Sequence, residues 1–199
     1  TYVIGLDGAT FDVIGPLSDE GVIPNITAIM NEGVSTPFLT TFPPSTAVAW
    51  IAMAASANPG RFGAFSHRNI KNGNFFRKEP VNSTVHRQHD PLWKVLNEHN
   101  KSVGLFNYPE LYPAYPINGF MVSGVGAPMN TRSAYPENFL NDLNQAIGQE
   151  YKVAAPINHP KFRGDLPGLH SLLSDLADLR KKALLHILNT TDNDFYWLV

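Results

Sequence analysis

Two oxygen-bearing side chains stand at positions where α/β proteins place their chemistry. Asp7 follows the apolar run 2–6 and precedes Gly8, so we expect its carboxylate at the carboxyl edge of a sheet. Thr46 follows the stiff segment 42–45 and precedes an alanine-rich run, which places its hydroxyl at a helix N-terminus. Free backbone N–H groups there would stabilise an alkoxide or a phosphoryl oxygen, so Thr46 is a candidate nucleophile or phosphate contact.

Both positions also suit a purely structural role. A carboxylate after a strand often caps the following turn, and a threonine before an alanine-rich run is a common N-cap. A threonine hydroxyl needs a base or a metal ion to become a nucleophile at neutral pH. Asp7 is a hard oxygen ligand that could share a cation with Thr46, so the two residues together predict half of a metal site.

Helical and strand-like segments alternate along the chain, which predicts a three-layer α/β/α sandwich with a mainly parallel sheet. The Gly-Pro pair at 15–16 should kink or end the first helix, and Thr10, Thr46 and Asp90 are expected as N-caps. Residues 60–90 are rich in Gly, Asn, Arg and His, and we expect an irregular excursion with a short strand near Phe75. The other predicted strands are 2–6, 34–40, 102–106, 120–123 and 194–199, and the other predicted helices are 11–17, 24–32, 47–57, 136–147 and 169–188.

The composition excludes several classes of protein. Of the 199 residues 43% are hydrophobic, which is ample for a packed core and excludes intrinsic disorder. The net charge of −2 predicts no basic surface for nucleic acid, so a phosphate must be held locally. The absence of cysteine excludes thiolate zinc sites and a cysteine nucleophile. No membrane-spanning run and no basic-apolar leader is present, which favours a cytoplasmic location.

The first and last residues of the sequence lie in strand-like runs. Thr1 opens directly on the first predicted strand, and the sequence stops at the end of the last one. We therefore expect the sequence to be cut from a longer protein, with an incomplete site.

Several short segments occur in a characteristic order. They are residues 3–12 (VIGLDGATFD), 21–25 (GVIPN), 42–50 (FPPSTAVAW) and 58–63 (NPGRFG), followed by shorter matches at 91–93, 103–104, 112–113, 118–124 and 135–136. In this order they resemble the type I phosphodiesterase/nucleotide pyrophosphatase family of the alkaline phosphatase superfamily. The resemblance covers nearly all of the chain and implies an alkaline phosphatase-like fold. It also implies that residues 1–199 are the N-terminal part of a single catalytic domain.

The resemblance also implies a chemistry and its residues. Members of the family are two-metal hydrolases, usually with zinc, in which a Ser or Thr attacks phosphorus and forms a covalent phospho-enzyme. Thr46 corresponds to that nucleophile, which also contacts a metal ion, with Ser45 as a fallback; Asp7 corresponds to the first metal-binding aspartate. His67 falls where nucleotide pyrophosphatases place a phosphate-contacting asparagine. The implied cofactors are two divalent metal ions, most commonly Zn²⁺, and the implied substrates are small phosphate esters or nucleotides.

The sequence departs from the family pattern at three places. Ala55 and Ser56 stand where Thr-Gly is usual, Phe62 stands where a His usually precedes Gly63, and the remaining metal ligands of the family lie beyond residue 199. A divergent relative that binds an anion or a partner in the same cleft without catalysis is therefore an alternative. Sulfatase, phosphomonoesterase and phosphotransferase activities share the same core and also stay open.

The remaining histidines carry no pattern of metal ligation. Two of them, His86 and His89, are three residues apart in a predicted loop with no carboxylate partner placed by any pattern, and His186 lies next to the apolar stripe of the long helix, so we interpret all of them as surface or packing residues. They are His86, His89, His99, His159, His170 and His186.

Overall fold

The computed structural model describes residues 1–71, 74–128, 131–153 and 164–199, so His159 lies outside the described residues. The strands in these ranges are β1 (Tyr2–Ile4), β2 (Arg68–Lys71), β3 (Asn74–Pro80), β4 (Val103–Tyr108), β5 (Gly119–Ser123), β6 (Ala134–Tyr135) and β7 (Phe195–Leu198). The helices are α1 (Phe11–Asp19), α2 (Pro24–Glu32), α3 (Thr46–Ala55), α4 (Pro59–Phe62), α5 (Ser83–Gln88), α6 (Leu92–Glu98), α7 (Phe139–Ile147) and α8 (Leu166–Thr190). None of these helices, the 25-residue α8 included, combines the length and the apolar character needed to cross a membrane.

Five strands form one mostly parallel sheet in the order β1-β7-β4-β5-β6, in which only the pair β5 and β6 is antiparallel. Tyr2 pairs with Tyr196 and Leu105 pairs with Trp197, so β7 lies between β1 and β4. The carboxyl ends of the four parallel strands therefore meet at one edge of the sheet, where ligands bind in open α/β folds. The predicted mainly parallel α/β architecture is confirmed.

Apolar side chains of the central strands alternate between the two faces of the sheet, and helices cover both faces. Phe106 and Tyr196 pack on one face with side chains of α7 and α8. Leu105 and Trp197 point to the other face, where they meet side chains of α3 and α6. This alternation produces helix, sheet and helix layers, in agreement with the predicted sandwich.

Residues 60–90 contain more regular structure than their composition indicates. Strands β2 and β3 pair as an antiparallel hairpin that forms a separate two-stranded sheet, and β3 includes Phe75, where a strand is expected. His86 on α5 is completely buried, with its ring against those of Trp93 and Tyr108. This environment agrees with the packing role expected for His86.

The strand predicted over residues 34–40 is wrong. These residues form no strand, and the side chains of Val34, Phe38 and Leu39 are each at least 90% exposed. The apolar spacing of the segment resembles that of a strand, but a strand also needs a neighbour that accepts and donates backbone hydrogen bonds. No such neighbour lies beside the segment among the described residues.

Two helix boundaries also differ from expectation. Helix α1 continues through Pro16, because the loss of one backbone hydrogen bond is tolerated and the N–H of Glu20 closes the last turn on the Pro16 carbonyl at 3.0 Å. Pro91 and not Asp90 is the N-cap of α6. Asp90 has a positive φ of 45° and instead forms an ion pair with Lys94.

Candidate functional site

Asp7 and Thr46 line the same pocket. Its volume is about 500 Å³, and its wall is formed by the turn after β1, the segment before α3 and the first turns of α3. Ser45 and Thr40 add two more hydroxyl-bearing residues to the lining. The Asp7 carboxylate and the Thr46 hydroxyl form no hydrogen bond to any residue that the structure describes, so both are available to a ligand.

The pocket forms because the end of β1 packs closely against α3. Gly5 lies beside the indole of Trp50, and a Cβ at this position would lie 2.3 Å from Trp50 Cη2. Trp50 is held in turn by Tyr108, whose hydroxyl donates a 2.8 Å hydrogen bond to the Trp50 carbonyl and whose ring meets the indole edge to face. The absence of a side chain at Gly5 therefore brings Asp7 close to the N-terminus of α3.

Thr46 is the first residue of α3, and the prediction that it is the N-cap is wrong by one residue. Ser45 is the N-cap, with extended backbone angles of φ −146° and ψ 136°, and its side chain forms no capping hydrogen bond. The Ser45 carbonyl accepts the first helical bond from the N–H of Ala49 at 2.9 Å. Thr46 is half-buried and belongs to the first helical turn, whose backbone N–H groups have no partner within the helix.

His67 does not line this pocket. Its Nδ1 lies 2.8 Å from Oε1 of Glu110, and the imidazole side chain is 52% exposed whereas the Glu110 side chain is only 4% exposed. Burial raises the pKa of the Glu110 carboxyl, and the hydrogen bond from His67 partly opposes this shift. Glu110 follows the end of β4, so the pair lies at the same edge of the sheet as Asp7.

No complete metal site is present among the described residues. They contain no group of three or more His, Asp or Glu side chains that could hold a metal ion. Asp7 and Thr46 supply carboxylate and hydroxyl oxygens, which are donors that divalent cations accept. The two residues fit part of such a shell, and further donors would have to complete it.

Two of the departures from the family pattern have visible structural consequences. Ser56, where Gly is usual, is the C-cap of α3 and has a positive φ of 48°, a conformation that glycine adopts at less cost. Phe62, where His is usual, is 6% exposed and packs in an apolar cluster with Val48 and Ile51. The Phe62 side chain therefore contributes to the core and not to a polar site.

The family to which the chain belongs follows from comparison with known proteins. The model of the type I phosphodiesterase/nucleotide pyrophosphatase family matches residues 1–194. No curated protein and no solved structure matches the chain. Since the match covers nearly the whole sequence, the protein belongs to this family of phosphodiesterase- and pyrophosphatase-type hydrolases, which are typically metal-dependent and whose substrates are phosphate esters or nucleotides.

Glu110 is the residue of this edge that sequence reasoning misses. It is the only acidic residue in the aromatic and proline-rich stretch 107–116, and that isolation is the one signal that could have drawn attention to it. Its partner His67 is distant in the sequence, and only the fold brings the two side chains together.

Proposed function

We propose that this protein is a metal-dependent hydrolase of phosphodiester or nucleotide pyrophosphate bonds that works through a covalent phospho-threonine on Thr46. The observation that carries the proposal is the shared pocket of Asp7 and Thr46. These residues correspond to a metal ligand and to the nucleophile of the family, and they lie far apart in the sequence. We propose in addition that residues 1–199 are the N-terminal part of a single catalytic domain.

In the proposed reaction the Thr46 Oγ attacks phosphorus. The Thr46 hydroxyl gives up its proton to solvent water, the bond from phosphorus to the leaving oxygen breaks, and the leaving group takes up a proton from water as it departs. Water then cleaves the phospho-threonine bond and restores the hydroxyl. The unpaired N–H groups in the first turn of α3 would stabilise negative charge on the phosphoryl oxygens throughout.

The metal ions of the proposed enzyme are two divalent cations, most commonly Zn²⁺. Asp7 would hold one of them and Thr46 would contact it. When bound, such a cation lowers the pKa of the attacking hydroxyl and offsets the charge of the phosphoryl group. His67 is proposed to contact the substrate beyond the reacting phosphorus.

Hydrolysis of bis(p-nitrophenyl) phosphate by matched variants tests the role of Thr46. Thr46→Ala should lower turnover by at least about 1000-fold, because the change removes the proposed nucleophile. Thr46→Ser keeps a hydroxyl and should retain measurable turnover, and Ser45→Ala should remain active. Undiminished turnover by Thr46→Ala would overturn the proposal, and loss of turnover in Ser45→Ala alone would move the nucleophile to Ser45.

A second candidate function is that of a non-catalytic relative that binds an anion or a partner in the same pocket. The buried Phe62 and the strained Ser56 favour this alternative, because both depart from the family at the helix that carries the candidate nucleophile. Metal analysis separates the two candidates, since two tightly held zinc equivalents support the enzyme. A substrate screen then distinguishes phosphodiesterase from sulfatase, phosphomonoesterase and phosphotransferase activity.

A further inference from the structure

A second pocket lies between α6 and the segment 115–117 that precedes β5. Its volume is about 660 Å³, which is within the range of small-molecule sites. The end of α5 completes its wall, and it shares no lining residue with the pocket of Asp7 and Thr46. A ligand in this second pocket would therefore contact none of the residues proposed to carry the hydrolysis.

The walls of this pocket are held together by hydrogen bonds. The indole Nε1 of the completely buried Trp93 donates to the Tyr115 hydroxyl at 2.7 Å. Asn97 on α6 donates from Nδ2 to the Asn118 carbonyl at 3.2 Å, and its Oδ1 accepts from the Asn118 N–H at 2.9 Å. These bonds join α6 to the chain on both sides of Pro116, so the cavity does not need a ligand in order to form.

Arg87 lines this pocket and has no carboxylate partner. Its guanidinium lies over the Tyr115 ring, 5.3 Å from the ring centroid, and it forms no ion pair with any residue that the structure describes. A contact with a ring face leaves the N–H donors of the guanidinium free to bind an anion. Tyr115 is itself anchored on Trp93, so its ring holds Arg87 at the wall of the pocket.

The other charges of the pocket limit what that anion can be. Lys94 forms an ion pair with Asp90 and lies 3.8 Å from the Glu98 carboxylate, which also lines the pocket. Within the described part of the chain, Arg87 is thus the one lining cation without a carboxylate partner. Glu98 would repel a second negative charge on a ligand. A monoanion such as a carboxylate therefore suits the pocket better than a phosphate dianion does.

Much of the remaining lining is apolar. Pro91, Pro116 and Ile117 contribute to it together with the edge of Trp93. Apolar side chains with a small number of polar groups are typical of ligand pockets, in which apolar burial supplies affinity and a charged group fixes the orientation. A ligand of this pocket should accordingly combine one carboxylate with an apolar body.

We propose that this pocket binds a small carboxylate with an apolar body, whose carboxylate pairs with Arg87 and whose body lies against Pro116 and Ile117. Tyr115 is a positioning residue, because its ring holds the guanidinium of Arg87. The site goes beyond the proposed hydrolase function and does not depend on it.

Titration of the ¹⁵N-labelled chain with 2-naphthoate, followed by NMR, tests the site. A ligand of this size should bind with a Kd of about 1 mM at ordinary ligand efficiency. The neutral isostere 2-naphthamide lacks the charge and acetate lacks the apolar body, so each should bind at least about 10-fold more weakly. Equal affinities for 2-naphthoate and 2-naphthamide, or no binding of 2-naphthoate, would overturn the proposal.

The indole N–H signals of the three tryptophans show where the probe binds. Tyr115→Phe removes the acceptor of the Trp93 indole and so identifies the Trp93 signal. Bound 2-naphthoate should shift this signal, whereas the signal of Trp50, which lines the pocket of Asp7 and Thr46, should stay in place. A shift of the Trp50 signal without one of Trp93 would place the probe in the other pocket and overturn the proposal.

Arg87→Ala tests the pairing with the carboxylate and should weaken 2-naphthoate binding by at least about 10-fold. Lys101→Ala is the matched control, because it changes the net charge equally but removes a cation that pairs with Asp194 at 3.0 Å outside the pocket. It should leave the affinity within about 2-fold. An equal loss in both variants would show a general charge effect and would overturn the role of Arg87.

The positioning role of Tyr115 is tested by two substitutions. Tyr115→Phe keeps the ring under Arg87 and should keep the preference for 2-naphthoate over 2-naphthamide. Tyr115→Leu removes the ring and should abolish that preference while 2-naphthamide binding changes little, which a loss of pocket shape alone would not produce. An unchanged preference in Tyr115→Leu would overturn the positioning role, and Arg87→Ala decides the carboxylate site even if Tyr115→Leu does not fold.

Discussion

Replacement of Gly5 by alanine should destabilise the fold where β1 meets α3. The added Cβ would lie 2.3 Å from Trp50 Cη2, 3.0 Å from Trp50 Cζ3 and 3.2 Å from Val199 Cγ2. Carbon atoms in favourable contact are about 3.5–4.0 Å apart, so the ring tip must retreat by more than about 1 Å. The indole is only 5% exposed and lies edge to face against Tyr108, which leaves it little room to do so.

Overpacking of this kind costs about 1–3 kcal/mol of unfolding free energy. Gly15→Ala is the matched control, because a Cβ on Gly15 meets nothing within 4 Å and the residue lies in α1, where alanine should stabilise by up to about 1 kcal/mol. Urea unfolding followed by tryptophan fluorescence measures both variants. All three tryptophans are buried, with exposures of 5%, 0% and 3%, so the signal reports on the core.

The comparison of the two variants tests whether β1 and α3 are packed too closely to admit a side chain at residue 5. Gly5→Ala should unfold at a lower urea concentration than the wild-type chain, and Gly15→Ala at the same or a higher concentration. If the unfolding free energies of Gly5→Ala and Gly15→Ala differed by less than about 0.5 kcal/mol, the close approach of β1 to α3 would not determine where Asp7 lies.

Three further predictions concern the surroundings of the site. Ser56→Gly should raise the unfolding free energy by about 1 kcal/mol, because residue 56 has a positive φ and glycine has no Cβ that makes this conformation costly. Ser56→Ala keeps the Cβ and should give no such gain in the same urea titration. Burial lowers the pKa of His86 to about 3, so between about pH 6.5 and pH 3 the unfolded chain binds a proton that the folded chain does not. The free energy of unfolding should therefore decrease as the pH is lowered through this window, and His86 should contribute up to about 1.4 kcal/mol per pH unit to that decrease. His86→Phe should reduce the slope of unfolding free energy against pH, and an unchanged slope would show that it does not come from His86. Tyr108→Phe removes the buried hydrogen bond to the Trp50 carbonyl and should cost about 1 kcal/mol in thermal unfolding, and an unaltered melting temperature would show that the bond contributes nothing net.

The sequence predicts those parts of the fold that depend on local signals. Thr10 is the N-cap of α1 as expected, and its side chain accepts a hydrogen bond from the Asp12 N–H. Helix α2 begins at Pro24 and ends before Gly33 for the same kind of reason. Asp7 and Thr46 could be singled out because each follows a recognisable local pattern, a strand end in one case and a helix start in the other.

The features that sequence reasoning misses depend on contacts between distant segments. Whether residues 34–40 form a strand depends on a neighbouring strand, which the segment's own apolar spacing does not reveal. The partnership of His67 with Glu110 joins residues that are 43 positions apart in the sequence. The order of strands in the sheet is likewise a property of the whole chain and not of any one segment.

The position of β7 has a consequence for how the protein assembles. Strand β1 is synthesised before the other described strands, yet β7 is its only sheet partner in the part of the chain that the structure describes, and Tyr2 pairs with Tyr196, which lies 194 positions later in the sequence. Closing so long a loop is entropically costly and slows folding. We therefore expect Asp7 to reach its place in the Thr46 pocket only after the segment around residue 196 has left the ribosome, which would complete the candidate site late during biosynthesis.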